Sequence, residues 1–240
     1  MTHLYLIRHG QAISAVEDTL EETGLSSLGI KQAERLRDRL AATGEIAPDV
    51  LIASTMLRAK QTAEIIAPAL GLPIIFDDEV QEWRAGKPED LKKVGVEEFR
   101  RRFNAVPFDQ KPFLQTLPSA ETWVQFMLRA TTALNRIIHE HEGKTIVIVC
   151  HGGIVDCSVT FFFGMSTLHF PRAYFNTHNT SLTHWYKSTF EILPPGWVLE
   201  RYNDVMHLRD LDSPVRIPWK DLASRPLVGA DKAKAPTEAE

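Results

Sequence analysis

Four short stretches, residues 3–7, 49–53, 73–76 and 145–149, are rich in β-branched residues and almost wholly apolar. A strand that shows one face to water alternates apolar with polar residues. A strand without that alternation is covered on both faces, as in parallel sheets flanked by helices. The segments between supply the helices: Ser26 or Ser27 can cap one that runs to about residue 43, residues 57–70 are amphipathic, and 121–142 form a long third one. This alternation predicts an α/β fold, a three-layer α/β/α sandwich around a mostly parallel central sheet. Two later strands, at 181–186 and 197–202, are expected to form a hairpin beside the main sheet.

At 240 residues the chain suits one such domain, placed here at 1–220. Residues 84–119 break the pattern, with Lys92, Lys93, Arg100, Arg101 and Arg102 around Val96 and Phe99, followed by a proline-punctuated stretch. They are expected to form a small insertion over the active-site edge of the sheet, the basic cluster being a solvated helix face. Residues 221–240, rich in Ala, Lys, Pro and Glu, hold too little apolar area to order themselves and are expected to form a flexible tail.

The net charge of −4 gives no overall field for nucleic acid or an anionic membrane, so neither is an expected partner and any anion must be captured locally. The run 146–165 approaches the length of a bilayer span but carries His151, Gly152, Gly153 and Asp156, which suits a buried strand, a turn and a core helix. Phe161, Phe162 and Phe163 are assigned to the core. Cys150 and Cys157 have no zinc-type spacing and read as small buried residues, which points to a reducing cytoplasm. His139 and His141 lie two apart on a helix and face different ways, so they make no metal pair. Gly143-Lys144-Thr145 is no phosphate-binding loop, because Ile138 stands where the first glycine belongs and a strand follows it.

In open α/β sheets ligands bind beyond the carboxyl ends of the strands. Here the first strand runs into Arg8-His9-Gly10, the second into the segment ending at Arg58, the third into Glu82 and the fourth into His151-Gly152-Gly153. Two arginines, two histidines and a carboxylate on one sheet edge suit phosphoryl transfer, which needs positioning and donors around the equatorial oxygens. Arg8 and Arg58 offer planar forks for phosphate, each with about 4 kcal/mol of Coulomb attraction at ~4 Å before desolvation. The Gly152 amide adds a donor at a helix N-terminus, and the lack of a Cβ at Gly10 and Gly152 lets the backbone approach an anion. An uncharged imidazole, His9 or His151, can attack phosphorus without a metal or other cofactor, and the arginines disfavour its protonated form. Glu82 is the carboxyl placed to protonate the leaving alkoxide, a competent acid mainly once the dianion is bound.

These residues resemble a known family. Leu6-Ile7-Arg8-His9-Gly10 resembles the RHG signature of the histidine phosphatase superfamily, also called phosphoglycerate mutase-like. Ser54-Thr-Met-Leu-Arg58-Ala-Lys-Gln61-Thr62-Ala63 is similar to its second arginine motif, Glu82-Trp-Arg-Ala-Gly86 to its acid motif, and His151-Gly152 to its second histidine. Leu25-Ser-Ser-Leu-Gly29-Ile-Lys-Gln32-Ala33 fits the helix start after the first motif, and Tyr202-Asn203-Asp204-Val-Met-His207-Leu208 a late segment. The resemblance implies that His9 is phosphorylated, that Arg8, Arg58 and His151 bind the phosphoryl group, and that Glu82 donates the proton, with Gly10, Gln11 and Gly152 among the substrate-binding residues.

The expected activity is a phosphomonoester hydrolase of histidine acid phosphatase type, acting on a small phosphorylated metabolite with no metal. The rivals are a phosphoglycerate mutase and a non-catalytic module that binds a phosphorylated ligand. A mere binder needs neither nucleophile nor acid. Mutase-like members usually carry asparagine where this chain has Ala15, and many have Gly-Gly-Glu-Ser where it has Ser119-Ala120-Glu121-Thr122. Both departures bear on substrate choice and leave the phosphoryl pocket intact.

Overall fold

The computed structural model describes residues 1–17, 22–188 and 196–211, and the tail expected at 221–240 lies outside them. In chain order the main elements are β1 (His3–Arg8), α1 (Ser14–Glu17), α2 (Ser27–Thr43), β2 (Val50–Ser54), α3 (Leu57–Leu70), β3 (Ile74–Asp77), α4 (Pro88–Val94), α5 (Val96–Ala105), α6 (Trp123–Glu140), β4 (Thr145–Cys150), α7 (Gly152–Phe162), β5 (Leu182–Ser188) and β6 (Gly196–Asp204). They form one six-stranded sheet in the order β3-β2-β4-β1-β5-β6. The first four strands are mutually parallel, while β5 runs antiparallel to β1 and β6 antiparallel to β5.

Successive residues of the inner strands point to opposite faces, which divides the core in two. Leu6, Ile52, Ile146 and Ile148 pack with Phe126, Leu134 and Val155 under α6 and α7. Ile7, Leu51, Val147 and Val149 pack with Leu36 and Ile66 under α2 and α3. Each such side chain, fully removed from water, stabilises the fold by about 1.5–3 kcal/mol. Caps set the helix starts: Ser26 accepts from the Gly29 amide at 3.0 Å, and Thr122 with Gln125 forms a capping box that starts α6 two residues later than the sequence pattern suggested.

Three sequence expectations change. The late hairpin does not lie beside the sheet but extends it, with Leu4 opposite Trp185. β3 is not buried on both faces: it is an edge strand, and Ile75 and Phe76 are 50% and 42% exposed. Of the phenylalanine triplet, Phe162 packs at a tilt against Trp185 and Trp197 with centroids 4.6 and 4.5 Å away, but Phe163 is exposed because α7 ends just before it. In the 84–119 segment, α4 and α5 carry the basic cluster on a solvated face, where Arg101 and Arg102 both pair with Glu98. That segment returns to the start of α6 through Lys87, whose amide donates to Ser119 Oγ at 2.8 Å.

Candidate active site

The carboxyl ends of β1, β2 and β4 converge where His9 and His151 meet, ring centroids 5.0 Å apart at an angle of 60°. His9 is buried, and its two nitrogens have partners of opposite kind. Nδ1 lies 2.6 Å from the Gly10 carbonyl, which can only accept, so Nδ1 carries the hydrogen. Nε2 lies 3.0 Å from Arg58 Nε, which can only donate, so Nε2 holds the lone pair. Burial, then the charges of Arg58 and Arg8, hold this imidazole well below its ordinary pKa, against a smaller opposing effect of the Gly10 carbonyl. His9 is therefore neutral at pH 7, with Nε2 as the basic nitrogen.

The neighbouring backbone fixes this geometry. Thr62 Oγ1 accepts from the Gly10 amide at 3.0 Å and donates to the Arg58 carbonyl at 2.7 Å, tying the loop after β1 to the first turn of α3. Asn179 Nδ2 donates to the His9 carbonyl at 2.9 Å. Gly10 has a reason other than anion approach: a Cβ there would lie 2.5 Å from the Gly29 carbonyl oxygen. Its amide and carbonyl are both bonded within the protein. Gln11 faces the N-terminus of α2, its amide donating to Gln32 Oε1 at 2.9 Å and its Oε1 accepting from Ser26 Oγ at 2.8 Å.

Arg8 is held through a bond from Nη1 to the Thr177 carbonyl, while its Nε is buried with no partner among the described residues. His151 Nε2 is hydrogen bonded to Ser54 Oγ at 2.8 Å, and its Nδ1 is likewise buried and unpartnered. Burial, then His9, Arg58 and Arg8, holds His151 well below its ordinary pKa. Both arginines are lowered from their ordinary value, burial being the main cause. Desolvated donors with unused hydrogen-bonding capacity next to a neutral imidazole suit an anion with several oxygens. Among the described residues, no group of three or more His, Cys, Asp or Glu is placed to hold a metal.

Glu82 reaches the same place from the segment after β3. Its Oε2 accepts from the Gly153 amide at 3.0 Å and its Oε1 from the Trp83 amide at 2.9 Å, at the N-terminus of α7. A Cβ at position 153 would lie 2.1 Å from Glu82 Oε1, so any side chain there would displace the acid from this amide. At Gly152 an added Cβ would meet Arg8 Nε at an ordinary 3.7 Å. The structure thus brings Arg8, His9, Arg58, Glu82, His151 and Gly152 together.

Sequence reasoning missed three contributors. Arg129 bonds the Glu121 carboxylate at 2.7 and 2.8 Å and donates to the carbonyls of Glu79, Gln81 and Glu82, so it fixes the acid's segment. Its signal was a charge three residues beyond Phe126 on a mostly apolar helix. Ser54 is the partner of His151, which only the parallel pairing of β2 with β4 reveals. Asp156, read only as a polar break, lies near Glu82 and Arg8. Burial first, then Glu82, pushes its carboxyl up to about 7 against the opposing charge of Arg8.

Comparison with known proteins places the chain among relatives. The profile of the histidine phosphatase superfamily, branch 1, matches residues 4–205. A probable phosphoglycerate mutase, GpmB, of Proteus mirabilis (strain HI4320) is 27% identical over 214 residues, which cover 88% of this chain and 97% of that protein. A solved phosphoserine phosphatase mutant from Entamoeba histolytica in complex with phosphoserine has a TM-score of 0.65 at 21% identity, covering 87% of this chain and 100% of its own. A mycobacterial glucosyl-3-phosphoglycerate phosphatase complexed with VO3 has a TM-score of 0.61 at 19% identity, covering 84% and 98%.

Proposed function

Since the chain belongs to the histidine phosphatase superfamily, branch 1, we propose that it is a metal-independent phosphatase that hydrolyses a small phosphomonoester through a phosphohistidine on His9. The observation that carries this reading is the tautomer of His9, neutral and with Nε2 directed at Arg58. Substrate phosphate draws the Arg58 guanidinium onto its oxygens, and the Nε2 lone pair passes to phosphorus. Arg8 Nε, His151 Nδ1 and the Gly152 amide are the further donors for those oxygens. The bond from phosphorus to the ester oxygen breaks as the N–P bond forms, and Glu82 gives its proton to the departing alkoxide. Water, deprotonated by the Glu82 carboxylate, then attacks the phosphohistidine, releasing phosphate and restoring the neutral imidazole.

Family membership does not choose between hydrolysis and mutase action, since the sequence relatives carry a mutase name and the structural neighbours phosphatase names. A mutase must hold its product by groups around the carbon skeleton until the phosphoryl returns. Ala15 supplies no side-chain hydrogen bond where mutase-like members usually carry asparagine, which favours water as acceptor.

Brief exposure to labelled substrate should leave an acid-labile, alkali-stable label on His9, and His9→Ala should lower kcat by about 10³ or more. Phosphate should accumulate with chelator present, with little interconversion of 2- and 3-phosphoglycerate in the presence of a bisphosphoglycerate primer. Label on a serine would end the histidine mechanism. Mutase turnover faster than phosphate release would replace hydrolysis with phosphoryl return.

A further inference from the structure

Beside the phosphoryl pocket lies a cavity of about 600 Å³, walled by Phe108, Trp123, Met127, Phe170 and Phe175, with Asp156 among its lining residues. We propose that this cavity receives the carbon body of the substrate, and that Asp156 selects esters of apolar alcohols bearing an ammonium or hydroxyl donor over esters bearing a carboxylate. The proposal rests on the phosphatase reading above and names its substrate class.

Continuity with the reacting centre comes from both sides of the cavity. Asp156 stands one turn into α7 from Gly152, within reach of the charges of Arg8 and Glu82. Trp83, adjacent to the acid, meets Trp123 edge-on with centroids 5.6 Å apart and lies 6.4 Å from the ring of Phe170. Phe170 also packs on Trp123 at 5.4 Å and on Phe108 at 6.0 Å, so the 84–119 insertion, the start of α6 and the segment after α7 share one aromatic wall. An ester held with its phosphate at His9 has its alcohol directed past Glu82, the group that protonates it, and so toward this wall.

The chemistry of the wall sets the class. The volume falls in the range of about 300–1,000 Å³ typical of sites for drug-sized ligands and exceeds what a glycerate skeleton fills. Aromatic faces favour apolar bodies and attract cations. Asp156 Oδ1 is buried without a partner among the described residues, an acceptor that a ligand N–H or O–H satisfies. A ligand carboxylate binds here only after Asp156 takes up a proton, with Glu82 close by and Arg8 engaged by the phosphate, whereas a ligand ammonium meets the acceptor directly. The other charged or titratable lining groups, Asp109, His169 and Arg172, are exposed, so water screens them.

The test compares kcat/KM for 3-phenylpropyl phosphate, its para-aminomethyl and para-carboxy derivatives, and ethyl phosphate. These are alkyl esters, and the aryl substituents lie far from the reacting bond, so the three phenylpropyl esters share leaving-group chemistry. The wild-type enzyme should prefer the aminomethyl over the carboxy ester by about 100-fold, and Asp156→Asn should cut that ratio by about 10-fold or more. Phe170→Ala should lower the ratio of phenylpropyl to ethyl ester by about 10-fold through KM. Each ratio is measured within one preparation, so incomplete folding of a variant cancels. An unchanged ratio in Asp156→Asn, or ethyl phosphate used as well as the phenylpropyl ester, overturns the proposal. If p-nitrophenyl phosphate is still hydrolysed through His9, the phosphatase reading survives that result; if no ester is hydrolysed and His9 takes no label, both fall.

Discussion

Two hydrogen bonds decide which nitrogen of His9 can react, because one partner can only accept and the other can only donate. The sequence carried the identity of the nucleophile but not its tautomer, since the Gly10 carbonyl and Arg58 Nε acquire directions only in the folded loop. Asp156 was illegible for a related reason: its proximity to Glu82 arises from the docking of the segment after β3 against the start of α7. Glu82 itself stood out, placed after a predicted strand, and its role can be isolated. Glu82→Gln keeps the shape and one of the two amide bonds that the carboxylate accepts, from Gly153 and Trp83, but has no proton of suitable acidity to give. With alkyl phosphates the loss in kcat should be about 10² to 10⁴, whereas p-nitrophenyl phosphate, whose leaving group needs little protonation, should lose far less. Equal losses on both substrates would make Glu82 a binding or structural residue.

Among the elements, the segment from Asp78 to Glu82 has little backbone pairing of its own and depends on α6. Arg129 and Glu121, both nearly buried, make a bidentate pair, and the same guanidinium gathers three carbonyls of that segment. Burial works against the Glu121 carboxylate, but the bonds from Arg129 and the Arg84 amide outweigh it and leave its pKa lowered. Arg129→Met fills similar space yet leaves the carboxylate only the Arg84 amide and guanidinium, which should cost about 3 kcal/mol in urea unfolding. Adding Glu121→Leu should recover much of that stability but little of the activity on alkyl phosphates, because the acid's segment still lacks its anchor. Full recovery of activity in the double variant would show that Arg129 serves stability alone. The edge position of β3 also belongs to this scale: its apolar letters resembled those of an inner strand, and only strand order told them apart.

For the whole molecule, strand and helix periodicity disclosed the three layers and the parallel sheet, since inner strands and amphipathic helices carry their burial in local sequence. The hairpin's attachment to β1 and the 84–119 packing depend on contacts remote in sequence, which local pattern does not encode. One such contact closes the far side of the fold: Arg39 on α2 bonds Asp204 at 2.8 Å and Glu45 at 2.6 Å, and Arg201 on β6 bonds Glu45 at 2.7 Å. The hydrogen bond from Arg39 is the main cause that lowers Asp204 from 3.8 to about 2. A depressed carboxyl contributes stability that is complete above its unfolded value and is lost as pH falls through the folded one. The stability gap between wild type and Asp204→Asn should therefore be widest above pH 4 and close between about 4 and 2. A gap that stays constant across that interval, followed by thermal unfolding, would remove the linkage.

The contact between Gly10 and Gly29 has a consequence for descent. A Cβ on Gly29 would lie 2.1 Å from the Gln11 carbonyl oxygen, just as one on Gly10 would strike Gly29. Neither position can accept a side chain unless the facing backbone moves, that of Gly29 for one and of Gln11 for the other, and those segments carry the cap of α2 and the nucleophile. The two glycines are thus constrained by one shared contact. Selection on the chemistry of His9 reaches, through them, a helix that touches no reacting atom, and a lineage that lost either glycine would have to rebuild both.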